Sequence, residues 1–342
     1  MVDPAPIEEM RTPDAAAWAA CQSRYKPLVF RALVADWPAV AKGRESPEAM
    51  CQYLAALDNG HDADVLMVPP DAGGRIGYGK DGGFNYLRNR LPITRVLEQI
   101  ARYSQFAHAP AVAMQSALVQ ECLPDFAKRN VLPLVDVDAA PRIWIGNAIT
   151  TPAHIDESRN VACVVAGRRR FTLFPPDQAA NLYLGPVDYT PTGSPVSLVD
   201  SRAPDFARYP RYREALAAAQ VSILEPGDAI YIPPLWWHQV ESLEPLNVLV
   251  NYWWKDEALR DMGGSVFDGL LHSLLMMRNM PAEQRNAWRT IFDHYLFHMP
   301  GNPAAHLDPS RRGVLGNSSP ALDAEIRAWL INRLNSAPAQ KR

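Results

Sequence analysis

The pattern of apolar and polar positions changes twice along the chain. Between residues 141 and 255 the apolar residues form short runs rich in β-branched and aromatic side chains. These runs are RIWIG, VACVVA, RFTLFPP, AIYIPP and LNVLVNYWW, and Gly, Pro, Asp or Asn separates them. Runs of this length between turn residues are typical of antiparallel strands. We therefore predict a β barrel or sandwich in this part of the chain.

The flanking segments favour helices. Residues 14–57 predict helices around one short strand, KPLVFRALV, and residues 86–103 carry helical spacing. After residue 256 the strands stop and apolar residues recur at helical intervals. Members of that pattern are Leu270, Leu274, Trp288, Ile291, Phe292, Tyr295, Trp329 and Leu330. We predict an N-terminal α/β flank (1–135), a β core (136–256) and a C-terminal helical region (257–342).

Composition and charge exclude several classes of protein. Hydrophobic residues make up 48% of the 342 residues, which is too many for a disordered chain. The formal charge of -3 provides no overall attraction for nucleic-acid backbones. Four widely spaced cysteines indicate neither a disulfide framework nor a paired metal motif. The cysteine usage fits a reducing cytoplasm best, so we expect a cytoplasmic protein. An acidic N-terminus without an apolar leader, and the lack of a stretch of about 18 apolar residues, support neither secretion nor a membrane span.

Residues 69–84 hold six glycines, with Arg75, Tyr78 and Lys80 between them. Glycine adds backbone freedom, so this composition favours a mobile flap with little to anchor it in a core. A phosphate-binding cradle is the alternative. It is disfavoured because neither a Gly-Lys-Ser/Thr ending nor a following helix is present.

Three residues are candidate metal ligands. His154 and Asp156 lie in TTPAHIDESRN, and His238 lies in EPGDAIYIPPLWWHQVESL. Strand positions two apart point to the same face, so His154 and Asp156 can present an imidazole and a carboxylate to one point. His238 follows two turns and a strand that can return the chain to the same end of the barrel. Two histidines and one carboxylate form the facial triad of non-haem Fe(II) oxygenases, whereas a lone core histidine is usually structural.

The spacing around these residues is similar to that of the two cupin motifs. His154 begins the first ligand block, Gly167 matches its closing glycine, and Asn160 stands where a glutamate ligand would be. Asp156 replaces the second histidine of that block. In the second motif, which contains His238, a leucine occupies position 235 where glycine is usual. These departures point away from four-ligand cupins and towards the three-ligand JmjC branch.

Four blocks in the right order resemble the JmjC-type 2-oxoglutarate oxygenases. They are TPAHIDESRN, GRRRFTLFPPDQ, PGDAIYIPPLWWHQVESL and NVLVNYWW, and they are most similar to the asparaginyl hydroxylases and bacterial cupin-like proteins of that family. The resemblance implies a double-stranded β-helix of the cupin or jelly-roll type, mainly β with helices at both ends. It also implies Fe(II), 2-oxoglutarate as cosubstrate, and O2.

The resemblance extends to five further positions. Thr151 matches a threonine that hydrogen-bonds the distal carboxylate of 2-oxoglutarate, and Arg169 stands where the hydroxylases have the lysine that pairs with it. Arginine can bind a carboxylate bidentately but does not replace lysine in shape. Asn160 and Asn251 match asparagines near the metal-chelating end, and Trp253 matches a tryptophan of the pocket wall.

The resemblance implies a 2-oxoglutarate-dependent dioxygenase that hydroxylates a C–H bond, with a protein or peptide side chain as the favoured substrate. tRNA bases and small molecules remain alternatives. Two other functions also remain open: a silent cupin-like module that binds a metal or ligand, and a metal-dependent isomerase. The apolar C-terminal helices predict a homodimer, and the resemblance implies the same, because the similar hydroxylases dimerise through C-terminal helices. The alternative is a monomer in which these helices pack across the outer face of the barrel.

Overall fold

The chain forms two units, residues 1–262 and residues 263–342. The structure is a computed structural model, and it describes residues 4–135, 139–256, 264–299 and 301–335. The predicted domain boundaries at 135/136 and 256/257 adjoin residues 136–138 and 257–263, which lie outside the described residues. The three-part division therefore stays a prediction.

The strands and helices of the described residues follow the predicted order of a mixed flank, a β core and a helical end. The strands are β1 (Ala5–Pro6), β2 (Glu9–Met10), β3 (Leu28–Phe30), β4 (Ala63–Val68), β5 (Leu87–Leu91), β6 (Ala111–Leu118), β7 (Pro141–Gly146), β8 (Thr150–His154), β9 (Arg159–Ala166), β10 (Arg169–Phe174), β11 (Gln220–Leu224), β12 (Ala229–Ile232), β13 (Trp237–Ser242) and β14 (Asn247–Trp254). The helices are α1 (Ala15–Ser23), α2 (Pro38–Glu45), α3 (Pro47–Leu57), α4 (Ile93–Tyr103), α5 (Val119–Cys122), α6 (Pro124–Arg129), α7 (Tyr212–Ala218), α8 (Val266–Met277), α9 (Ala282–Tyr295) and α10 (Pro320–Asn335). Short 3-10 turns cover Pro70–Ala72, Pro176–Asn181, Pro309–Arg311 and Gly313–Leu315.

Strands β7 to β14 are divided between two facing sheets, with β10 and β11 forming a consecutive pair in the small sheet. The strand order of the large sheet is β2-β3-β12-β9-β14-β7-β6-β4-β5, and β12, β9, β14 and β7 are neighbours within it. The strand order of the small sheet is β1-β11-β10-β13-β8. Each sheet thus takes four of the eight consecutive strands, all antiparallel to their neighbours in this set. This connectivity is that of a jelly roll, and the predicted fold class is confirmed.

The turn from β9 to β10 requires a glycine. Gly167 has a φ of +72°, and a Cβ atom at this position would lie 2.5 Å from both the carbonyl oxygen of Leu246 and Oδ1 of Asn247. Only glycine fits that turn without moving its neighbours. The closing glycine of the first cupin motif therefore has a steric cause here.

The large sheet is covered on both faces. Ala162 and Val164 of β9 face the small sheet. They belong to a cluster with Phe171 and Leu173 of the small sheet and with Ile230, Ile232 and Leu249 of the large sheet. Val161 and Cys163, which alternate with them, face a second cluster that contains side chains of helices α1 to α6. Burial on both faces explains why the apolar residues of β9 form a continuous run instead of alternating with polar residues. All four cysteines are free thiols.

The N-terminal flank is continuous with the barrel. β6 pairs with β7, and β4 and β5 extend the large sheet beyond it. β5 occupies part of the segment for which helical spacing was predicted over 86–103, and α4 begins only at Ile93. That prediction is wrong for Leu87–Leu91, because LRNRL is an exposed edge strand whose polar side chains give no strand signal.

The glycine-rich loop is anchored on both sides. Ile76 is buried, and its main-chain N–H donates to the carbonyl oxygen of Thr150 at 3.0 Å. Nη2 of Arg75 donates to the carbonyl oxygens of Ser197 and Val199 at 2.8 and 3.2 Å. The prediction that this loop lacks anchors in the core is wrong, since its contacts come from residues distant in sequence.

The second unit contains α8, α9 and α10, as the apolar spacing predicts. A capping box of Ser265 and Asp268 begins α8, and the main-chain N–H of Leu322 donates to Oγ of Ser319 at the start of α10. None of these three helices contains a buried residue. Among the described residues, no helix has the length and apolar character that crossing a membrane requires.

Candidate metal centre at one end of the barrel

The three predicted ligands meet at one end of the barrel. His154 ends β8 and His238 lies opposite it on β13, with the centroids of the two rings 4.2 Å apart. Nε2 of His238 lies 3.6 Å from Oδ2 of Asp156. One ligand atom from each of the three residues lies within 4.8 Å of the others. Asp156 lies just beyond the end of β8 rather than within the strand, so its position depends on the turn that follows.

Main-chain carbonyl groups orient both imidazoles. Nδ1 of His154 lies 2.9 Å from the carbonyl oxygen of Pro152, and Nδ1 of His238 lies 3.0 Å from that of Trp236. A carbonyl oxygen only accepts hydrogen bonds, so Nδ1 of each ring must carry the proton. Each Nε2 then carries the free lone pair. This tautomer is the one that metal binding through Nε2 requires.

The electrostatics favour ligation as well. Burial, and then the neighbouring imidazole of His238, lower the pKa of His154 well below its usual range, which keeps this ring neutral at neutral pH. Oδ2 of Asp156 is buried and has no hydrogen-bond partner among the described residues. A buried carboxylate oxygen without a donor is uncommon, and a metal ion is one of the few groups that satisfies it. The three residues therefore fit a divalent metal.

The turn before His238 holds Asp156 in place. Leu235 has a φ of +62°, and its main-chain N–H donates to the carbonyl oxygen of Asp156 at 2.8 Å. A left-handed backbone costs a non-glycine residue about 1–2 kcal/mol. The usual glycine of the second cupin motif is explained by this conformation, and Leu235 adopts it in spite of the cost.

A hydrogen-bonded wall lies beside the triad. Nδ2 of Asn251 donates to Oδ1 of Asn160 at 3.2 Å, and Nε1 of Trp144 donates to Oδ1 of Asn251 at 2.8 Å. The indole of Trp253 meets that of Trp144 edge to face at 6.0 Å, and its own Nε1 is buried without a partner. The sequence interpretation included Asn160, Asn251 and Trp253 but missed Trp144. The alternation of side chains along β7 is the signal that could have predicted the position of Trp144. Ile143 and Ile145 face the helices, so the side chain of Trp144 between them points into the barrel.

Arg169 is a buried cation inside the same cavity. It is 7% exposed, its Nε has no hydrogen-bond partner, and no carboxylate of the described residues lies within ion-pair distance of it. Burial lowers the pKa of Arg169 to about 10. A buried cation without a partner is costly, so this position fits an anionic ligand.

All eight predicted site residues line one cavity: Thr151, His154, Asp156, Asn160, Arg169, His238, Asn251 and Trp253. Apolar side chains complete its wall, namely Phe171, Ile232, Val240 and Leu249, together with Ala162 and Trp144. The structure thus brings together three potential metal ligands, an unpaired guanidinium and several amide and indole donors. Such a cavity suits a ligand that chelates a metal ion at one end and carries a negative charge at its other end.

Residues 14–259 match the family model described as a cupin-like domain. This chain belongs to the cupin-like domain family. The match runs from the residue that caps α1 to beyond the end of β14, so it includes the barrel and its N-terminal flank. The resemblance to JmjC-type proteins that the sequence blocks indicated is confirmed.

Individual relatives are similar to this chain over between about a third and two thirds of its length. Lysine-specific demethylase JMJ31 of Arabidopsis thaliana is 37% identical over 120 residues, which cover 35% of this chain and 21% of that protein. Human HSPB1-associated protein 1 is 37% identical over 113 residues, 32% of this chain and 22% of that protein. Lysine-specific demethylase JMJ30 of Arabidopsis thaliana is 28% identical over 246 residues, 68% of this chain and 50% of that protein. This chain therefore spans between about a fifth and a half of the length of these relatives.

Proposed function

We propose that this chain is an Fe(II)- and 2-oxoglutarate-dependent oxygenase that hydroxylates a C–H bond. The observation that carries the proposal is the pairing, in one cavity, of a His-Asp-His cluster with the buried and unpaired cation of Arg169. A molecule that chelates a metal at one end and carries a carboxylate at the other satisfies both groups at once. 2-Oxoglutarate has that structure.

The residues of this chain would act by binding, orienting and excluding water. His154, Asp156 and His238 would hold the metal on one face, which leaves positions for 2-oxoglutarate and O2. Arg169 and Thr151 would bind the distal carboxylate of 2-oxoglutarate. Asn160, Asn251 and Trp253 would line its chelating end, and the apolar wall would keep bulk water out.

The bound Fe(II) would supply the redox chemistry, in which 2-oxoglutarate, O2 and a C–H bond give succinate, CO2 and a hydroxylated product. The protein contributes the geometry of that reaction. Trp144 is a further positioning residue, because its hydrogen bond fixes the amide of Asn251 and thereby that of Asn160.

The substrate that we favour is a side chain of a protein or peptide. Two relatives are named lysine-specific demethylases, so a protein substrate accords with their names. Hydroxylation of an N-methyl carbon gives a product that loses formaldehyde, so demethylation would use the same site. tRNA bases, small molecules, a silent metal-binding module and an isomerase are the alternatives that experiment has to separate.

The protein loaded with Fe(II) is expected to convert 2-oxoglutarate to succinate in the presence of O2. Mass spectrometry of succinate is the measurement, with an anaerobic sample and the Asp156→Ala variant as controls. We expect at least about a hundredfold loss of succinate in both, because one control removes a reactant and the other a ligand. If the wild-type protein bound the metal but formed no succinate, the silent module would be the better account. Substrate conversion without O2 would favour the isomerase.

We also propose that the second unit forms a homodimer. Its helices bury no residue, and many large apolar side chains stay exposed within the chain: Leu270, Leu271, Leu274, Leu275, Trp288, Ile291, Tyr295, Trp329, Ile331 and Leu334. Apolar surface of this extent is usually covered by a partner, and a second copy offers the same surface.

The full chain at micromolar concentration is expected to have twice the mass of 38.0 kDa in light scattering. Introducing glutamate at Leu274 and Trp329, whose side chains are exposed in the single chain, should shift the mass to that of the monomer. Glutamate at Leu87, which is exposed on β5 of the first unit, is the matched control and should leave the dimer intact. A wild-type mass near 38.0 kDa would refute the dimer.

A further inference from the structure

An insertion between β10 and β11 leaves and re-enters the barrel beside the metal centre. Phe174, the last residue of β10, pairs with Trp237, and the residue before it, Leu173, pairs with both His238 and Gln220. The insertion therefore begins and ends within one residue of the row that contains His238. Along the way, Oγ of Ser194 donates to the carbonyl oxygen of Ile155, the neighbour of Asp156, at 2.7 Å.

This insertion carries a cluster of exposed arginines that lie on aromatic rings. Arg208 lies 5.2 Å from the ring centre of Tyr209, and Arg211 lies 5.0 Å from that of Tyr183. The two tyrosines pack edge to face at 5.0 Å, so both arginines belong to one surface. Arg213 lies 4.0 Å from the ring centre of Phe206. We call Arg208, Arg211 and Arg213 the arginine patch.

The arginine patch is positively charged and has no acidic partner among the described residues. No carboxylate lies within ion-pair distance of its three guanidinium groups, although Asp205 and Glu214 are close in sequence. Asp205 instead accepts hydrogen bonds from the main-chain N–H groups of Ala207 and Arg208. These three unpaired cations form a positively charged surface on a chain whose formal net charge is -3.

Contacts with the rings prepare these arginines for binding. A guanidinium that rests on an aromatic face keeps N–H donors at its edge while its side-chain rotamers are restricted. In Arg211 one of these donors, Nη2, already donates to the carbonyl oxygen of Ala180 at 3.0 Å, which restricts this side chain further. Less conformational entropy is then lost when it pairs with a carboxylate, which accepts two parallel N–H bonds from arginine.

We propose that the arginine patch binds an acidic segment of the protein substrate next to the side chain that enters the barrel. This inference rests on the proposed function and adds a substrate class to it. Peptide is favoured over RNA because the rings of Tyr183, Tyr209 and Phe206 are partly buried and each already has a guanidinium over one face, which leaves less ring surface for stacking bases. The path from the arginine patch to the metal centre runs along α7, whose seven residues span roughly 10 Å. It then crosses from Gln220 to His238, which lie on either side of Leu173, a distance of about 10 Å for two strand spacings. An extended peptide covers that combined distance in about six residues.

The test measures binding of a fluorescein-labelled 15-residue peptide containing six glutamates to the full chain. A peptide of the same length with glutamine at those positions, and a 15-nucleotide single-stranded RNA, are the comparison probes. We expect the acidic peptide to bind at least about tenfold more tightly than the other two probes, with an affinity that falls as salt increases. Arg208→Glu combined with Arg211→Glu should weaken this binding about tenfold or more, and the double lysine variant should retain most of it.

The matched control is Arg102→Glu combined with Arg129→Glu, which changes net charge equally at exposed positions on α4 and α6. Equal weakening by the control would show that only net charge matters and would overturn the inference. Tighter binding of RNA that depends on Arg208 and Arg211 would also overturn it. Peptide binding is measured without metal, and 2-oxoglutarate binding to the metal-loaded protein is measured beside it. A failure of the arginine patch is therefore distinguishable from a failure of the proposed oxygenase.

Discussion

His238→Ala is expected to abolish stoichiometric binding of Fe(II) or Ni(II) to this chain. The substitution removes Nε2, which lies 3.6 Å from Oδ2 of Asp156 and is held in place by the hydrogen bond of Nδ1 to the carbonyl oxygen of Trp236. The remaining imidazole and carboxylate form a two-ligand site, which does not hold these metals at micromolar concentration. Calorimetric titration with Ni(II) under anaerobic conditions is the measurement.

His108→Ala is the matched control for this prediction, because His108 is exposed and lies outside the metal cavity. It should bind one metal per chain like the wild-type protein, and the same metal should raise the melting temperature of both. The His238 variant should show no such rise. Wild-type affinity in the His238 variant would contradict the assignment of the triad.

Arg169→Met is expected to weaken binding of 2-oxoglutarate about a hundredfold while metal binding is unchanged. Burial lowers the pKa of Arg169 to about 10, which corresponds to a cost of roughly 3 kcal/mol for keeping this cation in the folded protein. A carboxylate ligand recovers that cost, and charge-assisted hydrogen bonds of this kind contribute about 1.5–3 kcal/mol each. Methionine removes the charge but retains much of the volume.

The same variant provides a readout that a purely structural role would not give. Removing an unpaired buried cation should leave the free energy of unfolding unchanged or higher in the absence of 2-oxoglutarate. The pH dependence follows from the same lowered pKa. Below about pH 10 the guanidinium is charged in both the folded and the unfolded chain, so its burial lowers the free energy of unfolding by a constant amount. Above about pH 10 the folded chain binds this proton less than the unfolded chain, so the free energy of unfolding rises. At neutral pH the charge stays in place and is available to a ligand.

Arg168→Met is the control, since Arg168 is exposed and pairs with Glu244 at 2.7 Å. It should leave the affinity for 2-oxoglutarate within a factor of two. Arg169→Lys should retain part of the affinity, because it keeps the charge but loses the bidentate fork. Calorimetry on the metal-loaded proteins measures all of these values. Unchanged affinity in Arg169→Met would refute the assignment of this cation to the distal carboxylate of 2-oxoglutarate.

The location of the candidate site could be predicted because strand periodicity and turn residues are local properties of a sequence. His154 ends β8 and His238 lies opposite it, as the two-residue period and the intervening turns imply. The position of Asp156 beyond β8 was not predictable, since it depends on a hydrogen bond from Leu235, which is distant along the chain.

Features that depend on tertiary contacts were missed for the same reason. Arg75 and Ile76 lie in a loop whose glycines suggest freedom, yet residues more than seventy positions away hold them. Leu87–Leu91 forms a strand only because β4 provides a partner for its backbone. In both cases local composition gave the wrong indication and long-range hydrogen bonds decided the structure.

The hydrogen bonds that orient the two imidazoles have a consequence for how the family can diversify. The acceptors are the main-chain carbonyl groups of Pro152 and Trp236, each two residues before its histidine along the chain. Any residue type supplies that carbonyl, so neighbouring side chains can be exchanged without disturbing the ligand geometry. Sequence changes at positions 152 and 236 can therefore accumulate while the orientation of the two imidazoles persists.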